Sequence, residues 1–146
     1  VSASIPVSAG FTDSVSDWRE GTRAAAERLV ELGTAGQGYP GSCVASVEEH
    51  GPYIVLTPGV ALVHAQAEEG QTREGLAVVR LGTPVAFGHP TNDPVDVLLA
   101  FSSGGNHMGM IKAVATALGG GLADRIRGAA DEAQAEQQLA EVVAHV

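Results

Sequence analysis

The sequence predicts an α/β sandwich, and three observations carry that prediction. An amphipathic helical pattern lies near the start. A middle third follows, made of short Val- and Leu-rich runs punctuated by Gly, Pro, Asn and Asp. Helical spacing then returns in the last third. Helices, then strands, then helices is the layout of a sheet with helices packed on it. Several middle runs are apolar at every position rather than every second one, which predicts a sheet covered on both faces.

The first helix is expected over residues 14–32. Trp18, Thr22, Ala25, Leu29 and Leu32 recur at spacings of three and four, so they share one face. Ser14 or Asp13 is the expected N-cap and Gly33 the expected stop. A short second helix is expected after Gly41, with Cys43, Val44 and Val47 inward and Pro40 suiting its start. Strands are expected at 53–56, 60–64, 75–81, 84–87 and 95–101. A third helix is expected at 106–118 with Met108, Ile111, Ala115 and Leu118 inward. Two more are expected, at 122–129 and at 132–146, the latter with Leu139, Val142, Val143 and Val146 inward. A length of 146 residues predicts a single domain over 1–146, with 1–12 as an irregular N-terminal segment.

Composition narrows the function classes. Hydrophobic residues make up 45% of the chain and charged residues 17%, which excludes a disordered polymer. Seventeen acids against eight bases give a formal net charge of -9, and the bases, Lys112 and seven arginines, form no stripe. Nucleic-acid binding needs such a stripe to neutralise phosphates, so no nucleic-acid partner is expected. Cys43 is the one cysteine, which excludes an internal disulfide and a cysteine-rich metal cluster and fits a reducing compartment. Residues 1–9 lack the basic and apolar regions of a signal peptide. No run approaches the roughly 18 apolar residues that span a bilayer. The expectation is a soluble, cytoplasmic protein.

Two of the five histidines sit in unusual company. His64 ends the run that begins at Pro58-Gly59, where a turn and a short apolar strand deliver one imidazole among uncharged neighbours. Such an imidazole is held neutral, and a neutral imidazole is a nucleophile. The plainer reading is a half-buried histidine tied to a backbone carbonyl. His107 follows Ser102-Ser103-Gly104-Gly105-Asn106 and opens a helix. Free N–H groups at a helix start favour an anion, and small residues let backbone or hydroxyl donors approach a phosphate. The plainer reading there is an ordinary N-cap at Asn106. Together the two histidines suggest a nucleophile on one element and an anion cradle on another, the parts phosphoryl transfer needs.

Other candidates weaken. His64, His89 and His107 could bind zinc, but no pair has the short spacing of a metal motif, so no metal is expected. The glycines of 33–38 and 119–121 match neither a Rossmann nor a P-loop fingerprint, so no nucleotide cofactor is expected. Glu48, Glu49, Glu68 and Glu69 read as solvated charges, and Cys43 reads as core.

The run Glu49-His50-Gly51-Pro52-Tyr53-Ile54-Val55-Leu56-Thr57-Pro58-Gly59-Val60-Ala61-Leu62-Val63-His64-Ala65 resembles the phosphoacceptor segment of enzyme IIA of the sugar phosphotransferase system. The class is the mannitol/fructose one, and the Gly-Pro-Tyr form looks most like its L-ascorbate branch. Leu81, Pro84-Val85 with Phe87-Gly88, Asn92-Asp93-Pro94-Val95, His107 and Asp17-Trp18 extend the resemblance from about residue 17 to 143. It departs from the family pattern at Val63, often Pro, at Gln66, often Arg, and at Gly104-Gly105-Asn106, where Asp is common. No arginine stands close before Gly51.

The resemblance implies a mixed five-stranded sheet flanked by helices on both faces, a mannitol-type enzyme IIA-like fold. It implies a phosphocarrier in which His64 accepts a phosphoryl group from phospho-HPr and passes it to a cysteine of a IIB protein. His107 would hydrogen-bond that group. No metal or nucleotide is needed, and the membrane is met only through a IIC transporter. Val63, Ala65 and Met108 are the expected contact patch, and the net charge of -9 is expected to steer a basic donor. The rival expectation is a regulatory module that keeps the fold without feeding transport.

Overall fold

The computed structural model describes residues 5–65, 73–105 and 107–146. In chain order its elements are β1 (Val7–Thr12), α1 (Trp18–Leu32), α2 (Tyr39–His50), β2 (Val55–Thr57), β3 (Val60–Val63), β4 (Gly75–Val85), β5 (Val95–Ser102), α3 (His107–Gly119), α4 (Leu122–Arg127) and α5 (Glu132–Val143). The strands form one five-stranded sheet in the order β1-β4-β5-β3-β2. β1 runs parallel to β4 and β3 parallel to β5, whereas β4–β5 and β2–β3 are antiparallel. The sheet is therefore mixed, as expected.

Alternation along the strands sorts side chains into two cores. Ala61 and Val63 of β3 and Ala77, Val79 and Leu81 of β4 face α1 and α2. Val60 and Leu62 of β3 and Leu76 and Val78 of β4 face α3, α4 and α5. Both faces are covered, which is why the strands read as unbroken apolar runs.

The segment at 1–12 expected to be irregular is a strand from Val7 onward, aligned from Val7 against Leu76 to Thr12 against Leu81. Its Ser and Gly residues blunt the local strand signal, and the pairing comes from residues some seventy positions away. Arg28 of α1 secures it: Nε donates to Ser8 Oγ at 2.9 Å and Nη2 to the Ala9 carbonyl at 3.0 Å. The guanidinium lies so close to Gly10 that a Cβ there would collide with it.

Helix α1 starts at Trp18, four residues later than the expected residue 14 and at the first residue of its apolar pattern. The N-cap is Asp17, not Asp13 or Ser14: its carboxylate accepts the Glu20 N–H at 3.0 Å, while Glu20 Oε1 accepts the Ser16 N–H at 2.8 Å. This near-reciprocal pair satisfies donors that a helix start leaves free. Gly33, at φ 80°, ends the helix as expected. Helix α2 begins at Tyr39, ahead of Gly41, with Pro40 in its first turn, where a missing N–H costs nothing. Cys43, Val44 and Val47 are buried as expected.

The two runs expected at 75–81 and 84–87 join as one strand, β4, whose pairing with β5 shifts between Arg80 and Val85. An irregularity of that kind accommodates Gly82 and Pro84 within a strand. Helix α3 has a phase shifted from the one expected, with Ile111 and Leu118 packed half-buried against the core as expected. Met110 and Val114 are its buried residues, while Met108 is 72% exposed and Ala115 is exposed. His107 turns toward the end of β5 and sets that phase; residues three and seven positions on then face the sheet. Helix α5 stops at Val143, and Val146 is exposed.

Candidate active site

The site forms where β3 and β5 end side by side. Along β3 the alternation that sends Val60 and Leu62 toward α3–α5 sends His64 to the same side. The register sets Val63 opposite Ala100, so the residues that follow, His64 and Phe101, are neighbours. Their rings stack, with centroids 5.1 Å apart and planes 23° from parallel. His107, the first residue of α3, brings its ring within 5.5 Å of His64 and 5.1 Å of Phe101. The Tyr53 ring, from the turn before β2, stands at 86° to that of His64 with centroids 6.0 Å apart, and at the same angle and distance to that of His50. The Tyr53 hydroxyl lies 3.0 Å from Ser46 Oγ.

His64 and His107, separated by most of the sheet in sequence, are thus brought together. Nδ1 of His64 lies 2.9 Å from the Leu62 carbonyl. A carbonyl only accepts, so Nδ1 carries the hydrogen; in the neutral ring Nε2 then holds the lone pair. Burial lowers the His64 pKa from the ordinary 6.5, the Leu62 bond opposes that shift, and His107 adds to it. The imidazole is held neutral with one defined nitrogen available. The plainer reading of His64 as a half-buried ring tied to a carbonyl is borne out, and that tie is what orients it.

The anion cradle drawn from the loop before His107 is only partly present. The Ser102 hydroxyl is buried, and it donates to the Arg73 carbonyl at 2.7 Å. The Gly104 N–H donates to the Glu74 carboxylate at 3.2 Å. Asn106, like Gln66, Glu68 and Glu69, lies outside the described residues. The expected contact patch also changes. Val63 is fully buried against α1 and α2 and Ala65 nearly so, and Met108 alone is exposed.

The third histidine of the zinc possibility does not join the other two. His89 Nδ1 accepts the N–H groups of Thr91 and Asn92, and the Asn92 carbonyl accepts the Gly59 N–H, at the start of β3 rather than its end. Among the described residues no three His, Cys, Asp or Glu side chains are grouped to hold a metal ion. No described helix is long and apolar enough to cross a membrane.

Phe101 and Tyr53 are site residues that sequence reasoning did not single out. Phe101 read as one apolar residue of a strand, because its place beside His64 depends on the register of two distant segments. Tyr53 was visible in the Gly-Pro-Tyr run, but no local signal aims its ring at His64.

A neutral, oriented imidazole thus stands beside a second histidine at the end of a mixed five-stranded sheet. The chain belongs to the family described as "Phosphoenolpyruvate-dependent sugar phosphotransferase system, EIIA 2", whose pattern matches residues 8–143. The ascorbate-specific PTS system EIIA component of Shigella boydii serotype 4 (strain Sb227) is 37% identical over 86 residues, 59% of this chain and 56% of that protein. Its counterpart in Escherichia coli (strain K12) is 35% identical over the same length. The chain thus spans about half the length of the curated relatives it matches. Among solved structures, the mannitol-specific cryptic phosphotransferase enzyme IIA CmtB from Escherichia coli is 28% identical, covering 94% of this chain and 92% of that one, with a TM-score of 0.74. A putative PTS IIA (PtxA) from Streptococcus mutans is 26% identical, covering 92% and 88%, with a TM-score of 0.74.

Proposed function

We propose that this chain is a phosphocarrier of the sugar phosphotransferase system, with His64 as acceptor and ascorbate or a similar sugar as the transported substrate. The observation that supports it most is the 2.9 Å contact of His64 Nδ1 with the Leu62 carbonyl, beside His107. The Nε2 lone pair attacks the phosphorus of phospho-HPr. An N–P bond forms, the donor's N–P bond breaks, and the electron pair returns to the donor imidazole. Nδ1 keeps its hydrogen on Leu62, so the bond that orients the ring also steadies positive charge as it develops. His107 donates to a phosphoryl oxygen. The second transfer runs the same way, with a IIB cysteine thiolate attacking phosphorus and His64 leaving as neutral imidazole. On this reading the chain works in the cytoplasm and meets the membrane only through a IIC transporter. A solved complex of enzyme IIAMTL with phosphorylated enzyme IIBMTL from Escherichia coli shares the fold, at a TM-score of 0.73.

The test is incubation with phosphoenolpyruvate, enzyme I and HPr, read by intact mass at neutral pH. One acid-labile phosphate is expected on the wild type and none on His64→Ala. His107→Ala is expected to label but to hand the phosphate on more slowly. Full labelling of His64→Ala overturns the assignment. No labelling of a folded wild type, with a control carrier labelled, favours the regulatory reading.

A further inference from the structure

The parallel β3–β5 ladder stops one rung short of its natural end, and a side chain from the opposite face of the sheet stands in the gap. The Leu62 N–H bonds the Ile54 carbonyl, so even-numbered backbone groups of β3 point toward β2 and odd-numbered ones toward β5. Continuing the register from Val63 opposite Ala100 would set Ala65 opposite Ser102 and send its N–H to the Phe101 carbonyl. That bond is replaced. The Ala65 N–H donates to the Tyr39 hydroxyl at 3.2 Å, and the same hydroxyl donates to the Phe101 carbonyl at 2.7 Å. Tyr39 is the first residue of α2, is 2% exposed, and sits in the core on the α1–α2 side. His64 and Phe101 project to the other side.

We propose that Tyr39 is a positioning residue for His64: its hydroxyl, inserted between β3 and β5, sets the strand separation that lets the imidazole stack on Phe101. This rests on the reading of His64 as the acceptor. One oxygen uses its donor and an acceptor site here, so both strand groups are satisfied and their spacing is fixed by two bonds rather than one. Burial pushes the phenol pKa well up from 10.0, so the hydroxyl keeps its proton and goes on donating. Removing the oxygen lets the strands close or leaves both groups unpaired. Either way His64 loses its fixed stack and becomes better hydrated.

The test compares Tyr39→Phe with Val47→Ala, a buried residue two turns further along the same helix. Ring ¹⁵N shifts of His64 across a pH titration report its tautomer and midpoint without any phosphoryl donor. Tyr39→Phe is expected to move the midpoint up toward 6.5, to mix the Nδ1–H form with Nε2–H, and to slow acceptance about 10- to 100-fold. Val47→Ala is expected to leave all three unchanged at comparable stability. Should Tyr39→Phe fail to fold, 3,5-difluorotyrosine at position 39 keeps the shape while weakening the hydroxyl as an acceptor, and the His64 midpoint should still rise. An unchanged tautomer and midpoint in whichever folded variant is measured overturns the positioning role. If instead the wild type takes no phosphate while the ring signals shift as expected, the acceptor reading fails and the positioning stands.

Discussion

His64 lies face to face with Phe101, their centroids 5.1 Å apart, because His64 directly follows β3 and Phe101 is the last residue but one of β5, parallel strands held in register by Val63 and Ala100. The stack shields one face of the imidazole, and the Leu62 carbonyl fixes its rotation. On the proposed reading of His64 as acceptor, an imidazole positioned this way needs no rearrangement to meet an incoming phosphorus.

The first prediction concerns pH. Burial holds the native His64 pKa below the ordinary 6.5. As pH falls through 6.5 the unfolded chain takes up its proton first, so His64 lowers stability progressively from there down through its native value. Above 6.5 the group makes no pH-dependent contribution. In the folded chain the imidazole stays neutral below 6.5, and phosphoryl acceptance should persist there before declining. An NMR titration and a pH–rate profile should share a midpoint below 6.5; a midpoint at or above it contradicts the burial argument.

Phe101 should matter to both fold and site. Its side chain is fully buried. Phe101→Ala is expected to cost about 3–5 kcal/mol in denaturant unfolding, from lost transfer energy and the cavity left behind. Phe101→Leu keeps most of the volume but removes the flat face. It should cost about 1 kcal/mol and raise the His64 midpoint. A Leu variant with an unmoved midpoint would show that bulk alone, not stacking, desolvates the ring.

Arg80 offers a contrast between stability and activity. Its Nη1 donates to the carbonyls of Ile126, Arg127 and Ala129 at 3.0–3.1 Å, closing the end of α4, and its guanidinium lies 3.5 Å over the Phe11 ring. Arg80→Met should cost about 2–3 kcal/mol through unpaired carbonyls. The His64 tautomer should not change, because Arg80 pairs with Val97, several residues from the site. Thermal unfolding and the ring ¹⁵N spectrum test the two halves separately.

Partner encounter should depend on salt and on Met108. If HPr is the donor, as proposed, a net charge of -9 should steer its basic surface, and the association rate should fall as ionic strength rises. Met108, 72% exposed beside His107, offers an apolar contact. Met108→Ser should raise the KM for phospho-HPr several-fold while leaving the His64 midpoint in place. A rate indifferent to salt, measured by stopped flow, argues against steering.

Much of the architecture was legible along the chain. The Trp18–Leu32 helix and its glycine stop, the central apolar strands and the terminal helices all follow from short-range periodicity. The family pattern around His64 pointed to both histidines and to the mixed sheet. What was illegible has a common cause. β1 interleaves Ser8, Gly10 and Thr12 with its apolar residues, which blunts its strand signal, and β4 and Arg28 hold it. The phase of α3 was misread because Met108 is as apolar as Met110, and only the turn of His107 toward Phe101 distinguishes them.

Sequence by itself determined which side of β3 carries His64, since alternation along a strand is a property of the backbone. It also determined the imidazole's uncharged neighbours. Tertiary structure alone decided what meets that imidazole. Phe101, His107 and Tyr53 arrive from separate elements, and the Tyr39 hydroxyl spans 62 residues to reach the Phe101 carbonyl. Local periodicity encodes which face a residue takes; the register between distant strands, settled by the packing of two cores at once, encodes its neighbours.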